Sequence, residues 1–241
     1  MELINEFYEG KLKCGLNDDD IKEKRQHGLT LTGNFGLSYI TPDRHAVWID
    51  SSKLNNGESY YEKQSGTSKV NLLEIKCIIN TLKAMEKEYL DQGYNKENRK
   101  DVGVISFYGN QVKLLRQEIK KIKFESLDID VNTVDKFQGK EKSIILVSLV
   151  RNSKTSRKEG GFVGSFERIN VAFSRAKELL IIYGAKDMFE DYIVTLPNME
   201  SKGNKSITVY NNIINKLKQN GCFVDNSKLL SDDDYKDIVG E

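Results

Sequence analysis

The sequence predicts an α/β domain with a mainly parallel sheet flanked by helices, and three observations carry that prediction. Val102-Gly-Val-Ile-Ser-Phe107 is a short apolar run that turns at Gly109-Asn110 into a segment with Val112, Leu115 and Ile119 at helical spacing. Leu179-Leu180-Ile181-Ile182-Tyr183-Gly184 is a second compact run, of the kind that fills the middle of a sheet buried on both faces. Between them, strand-like stretches at 129–134 and 143–150 alternate with helical or loop segments, the order that builds parallel sheets. In such sheets the active positions are expected at the carboxyl ends of the strands.

The flanking elements follow from the same rules. Ala46-Val-Trp-Ile49 reads as an additional strand, with Trp48 in the core. Residues 69–89 read as a long amphipathic helix carrying Val70, Leu73, Ile75, Ile78, Leu82 and Met85 on its apolar face. Ser68 is the expected N-cap, and Asn71 also has a capping side chain. Residues 206–220 form another predicted helix, stopped by Gly221 before a short strand at Cys222-Phe-Val. The polar stretch 17–32 reads as a surface loop. Residues 1–224 are expected to form one domain, and 225–241 an acidic tail, disordered at least in part.

Composition narrows the class. With 241 residues, 38% hydrophobic and 30% charged, the chain has the make-up of a globular protein with a sizeable core. It has no apolar window near the roughly 18 residues of a membrane span and no basic leader ahead of such a run, so no membrane partner and a cytoplasmic location are expected. Cys14, Cys77 and Cys222 are scattered and lack CxxC spacing, which points to neither a disulfide framework nor a metal site. The net charge of +1 conceals an uneven distribution. From Gln111 to Lys158 there are twelve Lys and Arg against six Asp and Glu, whereas Asp225–Glu241 carries six acids and two lysines. A local basic surplus can steer phosphates on a neutral protein, although the lysines of 110–123 also fit a solvated helix face.

The segment Thr133-Val-Asp-Lys-Phe-Gln138-Gly139-Lys140-Glu141, set between two strands, carries the main chemical signal. Gly139 lets backbone approach a ligand, Gln138 and Glu141 offer groups that bond hydroxyls, and Thr133 offers a donor at a strand end. Arg168-Ile-Asn-Val-Ala-Phe-Ser-Arg175-Ala-Lys sets two arginines seven residues apart on a short helix before the strand at 179. A guanidinium fork at 175 would be fixed by the core behind it and aimed at an anion presented by another domain.

The order Tyr108-x-x-Gln111, Thr133-Val-Asp-x-Phe-Gln-Gly-Lys-Glu141 and Arg168-x-Asn-Val-x-x-Ser-Arg-Ala-Lys177 resembles the late motifs of superfamily 1 helicases of the up-frameshift and DNA-replication-helicase group. Asn5-Glu-Phe-Tyr-Glu-Gly-Lys-Leu, Gly66-Thr-Ser-x-x-Asn71-x-x-Glu74 and Gly221-Cys-Phe-Val extend the resemblance over most of 5–224. It implies a second RecA-like domain, a P-loop NTPase-type fold without its own P-loop, that docks on an N-terminal RecA-like domain holding ATP and Mg2+. No G-x-x-x-x-G-K-[ST] and no acidic DE-x-x motif after an apolar strand occur in the sequence. The family's Gln-Tyr-Arg-Met-His-Pro segment is likewise absent, so Met1 is expected to mark a cut just after it, and the chain alone is expected not to hydrolyse ATP.

The resemblance also implies roles. Arg175 matches the arginine finger that reaches the γ-phosphate across the domain cleft. Gln138, Gly139 and Glu141 belong to the nucleotide side, with Glu141 toward the ribose. Arg168 joins them as a phosphate contact or braces the helix and sheet end through an ion pair. Thr133, Val134 and Asp135 face the sugar-phosphate of single-stranded DNA or RNA. Tyr108 and Gln111 belong to that surface or to the interdomain hinge, Tyr108 being suited either to stack on a base or to pack in the core. The implied direction of movement is 5′ to 3′. A different class of function, a non-catalytic nucleic-acid-binding or partner module, would instead rest on Lys136, Lys140 and Lys142 and would show marked salt dependence.

Overall fold

The computed structural model of the protein describes residues 2–6, 25–34, 36–153, 162–197 and 203–240. Its centre is a six-stranded sheet made of β1 (Ala46–Asp50), β2 (Lys100–Ser106), β3 (Leu127–Thr133), β4 (Lys142–Ser148), β5 (Ala176–Gly184) and β6 (Phe223–Asp225). The spatial order is β6-β1-β5-β4-β2-β3, and every pairing is parallel. The apolar runs are continuous because both faces are covered. Ile144, Leu146, Leu179 and Ile181 point to one core, and Ile145, Val147, Leu180 and Ile182 to the other.

On the first face lie α1 (Leu72–Asp91) and α2 (Gly109–Lys120), the long amphipathic helix giving Leu73, Ile78, Leu82 and Met85 to the core. On the second lie α3 (Phe166–Ser174) and α4 (Val209–Gln219), which contribute Ile169, Ala172 and Phe173, and Tyr210, Ile213 and Ile214. Trp48 is fully buried on this side, and its indole nitrogen donates to the Gly184 carbonyl at 2.8 Å. Outside the sheet, antiparallel strands pair at 63–65 with 68–70, 194–197 with 204–207 and 31–32 with 38–40.

Three expectations need correction. The long helix opens at Leu72, with Asn71 as N-cap accepting from the Glu74 backbone at 3.0 Å. Ser68 lies in a hairpin strand and serves a different helix, its hydroxyl accepting from the Asn110 backbone in the first turn of α2. The predicted surface loop 17–32 lies outside the described residues as far as 24, and beyond it His27, Leu29 and Leu31 are buried. The acidic end, expected to be disordered in part, folds into a 3-10 turn at 226–228 and α5 (Asp232–Val239). Ser231 and Asp234 form a capping box at its start, and Leu229, Leu230, Tyr235 and Ile238 pack into the first core, enough apolar surface to hold an acidic segment down.

Candidate functional site

Six of the predicted site residues, Thr133, Val134, Asp135, Gln138, Gly139 and Glu141, lie along one connection. Between Thr133 at the end of β3 and Lys142 at the start of β4 the chain has eight residues, fewer than the dozen or more usual for a parallel crossover. It must therefore run directly down the sheet, with room for only one 3-10 turn, Val134–Phe137. Phe137 is buried on Gly103 of β2, where a Cβ would stand 2.9 Å from the ring. Gly139 then takes φ +81°, a left-handed conformation that favours glycine, and the chain enters β4.

This path relocates half of the site. Thr133 lies level with Ser106 and Ser148 at the carboxyl edge of the sheet, and Lys142 level with Ala176 at the opposite edge. Gln138, Gly139 and Glu141, all exposed, precede Lys142 and so sit at the amino edge, contrary to the carboxyl-end expectation. Arg175 is there as well. It caps the carboxyl end of α3, and its carbonyl accepts from the Lys142 backbone at 3.0 Å, which ties the crossover to the arginine. Its Nε and one terminal nitrogen donate to Ser174 Oγ at 3.1 and 2.6 Å. Among the described residues no carboxylate forms an ion pair with it.

Arg168 stands about 10 Å further up the same face of α3, two turns away at 1.5 Å per residue. Its fork is occupied by Asp135, with Nε to Oδ1 2.9 Å and a second bond of 3.2 Å to Oδ2. The guanidinium also lies 4.6 Å from the centre of the Phe162 ring. This pair ties α3 to the crossover, the bracing geometry that was one of the two roles expected of Arg168. Asp135 is exposed, while the Val134 side chain is buried and leaves only its backbone for a ligand.

Tyr108 and Gln111 are not on a binding surface. Gln111 is fully buried, accepting from the Asn71 backbone at 2.9 Å and donating to the Asn71 carbonyl at 3.1 Å and to Ser148 Oγ at 2.9 Å. Tyr108 is buried as well, and its hydroxyl accepts from Arg151 at 3.2 Å. Burial pushes that phenol up, opposed by the hydrogen bond and charge of Arg151. A polar side chain beside a strand end has the same sequence signature whether it faces a ligand or satisfies buried backbone.

The sequence reading missed the polar core around these two residues. Glu74, fully buried, accepts from Ser148 Oγ at 2.5 Å, the Val150 backbone at 2.9 Å and Ser51 Oγ at 3.1 Å. Asn71 donates to the Val150 carbonyl at 3.0 Å. Together they hold Val150 at φ +72°, a strained conformation for a β-branched residue that its surroundings must impose. Desolvation pushes the Glu74 carboxyl up to about 8 despite these bonds. Next along the chain, Arg151 pairs with buried Glu62 at 3.0 Å, and Glu62 also accepts from the Asn152 and Ser153 backbones at 2.8 Å. Only Asn71 and Glu74 carried a signal in the sequence, through their spacing.

Part of the basic surplus is paired. Lys140 reaches Asp130 at 3.0 Å, Lys142 Asp128 at 3.9 Å, Lys121 Glu118 at 2.7 Å and Lys123 Glu125 at 2.6 Å. Arg116 donates to the Val131 carbonyl and to Asn132. Lys154, Arg157 and Lys158 lie outside the described residues. Among the described residues no cluster of three or more His, Cys, Asp or Glu could hold a metal ion, and no helix is long and apolar enough to cross a membrane.

A six-stranded parallel sheet between helical layers is consistent with a RecA-like fold, and the motifs along its crossover and α3 are those of a helicase-type domain. The chain belongs to the AAA domain family, whose model matches residues 2–187, and it is the C-terminal helicase region of the superfamily 1 type. It is 40% identical over 194 residues to the DNA replication ATP-dependent helicase/nuclease DNA2 of Gallus gallus, a match covering 80% of this chain and 16% of that protein. The Homo sapiens protein of the same name is 29% identical over 198 residues, 76% of this chain and 17% of that protein. Helicase SEN1 of Saccharomyces cerevisiae is 31% identical over 186 residues, 75% of this chain and 7% of that protein. The chain thus spans about a sixth or less of the length of these relatives.

Proposed function

We propose that this chain is the second motor domain of an ATP-dependent helicase that moves along single-stranded DNA or RNA, supplying the arginine finger and part of the strand-binding surface. The observation that carries the reading is the amino-edge junction, where the Lys142 backbone bonds to the Arg175 carbonyl. It fixes an arginine that has no ion pair among the described residues beside three exposed residues, Gln138, Gly139 and Glu141.

ATP with its Mg2+ would supply the phosphoryl group whose charge spreads in the transition state. The residues present fit a partial site for it. Arg175 offers a planar fork with nothing but Ser174 to release, Glu141 a carboxylate for ribose hydroxyls, and Gly139 backbone without a side chain in the way. A phosphate cradle is not encoded in the sequence, so a P-loop domain must hold the nucleotide and this chain alone is inactive as an ATPase. When the two domains close, α3 would carry Arg175 toward the γ-phosphate, tied to the crossover by the Lys142–Arg175 backbone bond and by the Arg168–Asp135 pair. Nucleotide and strand would thereby be coupled by one rigid piece.

Of the three lysines on which the alternative of a binding module rests, Lys140 and Lys142 pair with Asp130 and Asp128, while exposed Lys136 has no ion pair among the described residues. The test is Arg175→Ala in a protein that joins this chain to its P-loop domain. Loss of strand-stimulated ATP hydrolysis with strand binding retained is expected, and undiminished hydrolysis would overturn the assignment.

A further inference from the structure

We propose that the exposed part of the Phe162 ring is a stacking platform for one unpaired base of the bound strand. Phe162 is 48% exposed in a chain that buries most of its large apolar side chains. It begins a 3-10 turn, Phe162–Gly164, that is firmly anchored: Val163 is buried and its carbonyl accepts from the Tyr210 hydroxyl at 2.8 Å. The ring is held on two sides. Tyr108 meets it in a T-shaped contact at 5.8 Å, and the Arg168 guanidinium lies 4.6 Å from its centre. Arg168 in turn is fixed by its two bonds to Asp135. A phenyl ring that only needed burial would turn inward; this one is clamped with much of its surface turned outward.

The chemistry of the clamp selects the ligand. A cation 4.6 Å from the ring centre and a T-shaped aromatic contact fix the orientation of the ring, so that stacking a base on its exposed part costs little further ordering. Every base has a π-face, which makes such a platform tolerant of sequence, as a motor that moves along a strand requires. The contacts with Tyr108, which caps the start of α2 just after β2, and with Arg168, bonded to Asp135 just after β3, put the platform at the carboxyl edge, where Thr133 also lies. The proposal rests on the strand-binding reading given above.

The test is fluorescence anisotropy of the full chain with a labelled oligothymidylate and with the same backbone made abasic. Phe162→Leu keeps an apolar side chain without a π-face, and Phe162→Trp enlarges the face. Phe162→Leu should weaken oligothymidylate binding roughly 5- to 150-fold, the range of one lost base stack, with Phe162→Trp binding at least as tightly as the unaltered chain. On the abasic strand the three should bind alike. Equal oligothymidylate affinities for Phe162→Leu and the unaltered chain would overturn the platform and leave strand binding standing. Absence of binding by the unaltered chain even at low salt would overturn both.

Discussion

Gly103 and Phe137 are in such close contact that a methyl group on the glycine would stand 2.9 Å from the phenyl ring and 2.6 Å from Ile145 Cδ1. The crossover from β3 to β4 can run straight down the sheet only because β2 has no side chain there. Gly103→Ala should therefore cost about 1–3 kcal/mol, the usual cost of overpacking a well-filled core. Denaturant unfolding would measure it. The displaced crossover should also weaken any nucleotide contact of Gln138 and Glu141, and a variant as stable as the original would show that the ring does not depend on this glycine.

Glu74 predicts a pH dependence of stability. Its carboxyl is neutral in the folded state up to about 8, whereas in the unfolded chain it ionises near 4.5. The stability that depends on the bound proton is fully present below the unfolded value and is lost as pH rises through the folded one. In Glu74→Gln the amide oxygen can accept from Ser148 and Val150 and the amide nitrogen can donate to Ser51 Oγ, with no proton to lose. Urea midpoints should fall for the original chain between about pH 5 and 8 and stay flatter for the variant, a gap on the order of a few kcal/mol at the upper end. Parallel profiles would remove Glu74 as the titrating group.

Arg168 and Asp135 should couple weakly. Their side chains are 33% and 62% exposed, so water screens the pair despite its two-bond geometry. A double-mutant cycle with Arg168→Ala and Asp135→Ala should give about 0.5–1 kcal/mol of interaction. A value near zero would mean that the pair does not brace α3.

How much of this was legible beforehand depends on the kind of signal. Strands β2, β4 and β5 were readable because sheets buried on both faces need unbroken apolar runs, and α3 was readable from Arg168 to Arg175 preceding one of them. The placement of Gln138, Gly139 and Glu141 at the amino edge was not. It follows from the crossover returning to a strand beyond β2, a fact of topology that no local pattern encodes. Gln111 and Tyr108 look like surface polar residues in the sequence, yet their partners, Asn71, Ser148 and Arg151, are distant in the chain. In the acidic terminus the charges stood out, although Ser231 and Asp234 as a capping box and the apolar Leu229, Leu230, Tyr235 and Ile238 decide its fold.

Two arginines seven residues apart are proposed to do different work: Arg168 is bonded to Asp135, and Arg175 is proposed to reach phosphate. The most direct measurement is kcat for ATP hydrolysis at saturating single strand, in a protein that joins this chain to its P-loop domain, for Arg175→Ala and Arg168→Ala side by side. The account predicts a fall of about 10³- to 10⁵-fold for Arg175→Ala, the worth of an arginine finger, with a far smaller loss for Arg168→Ala. Equal losses, or an Arg175→Ala variant that still turns over at the original rate, would contradict it.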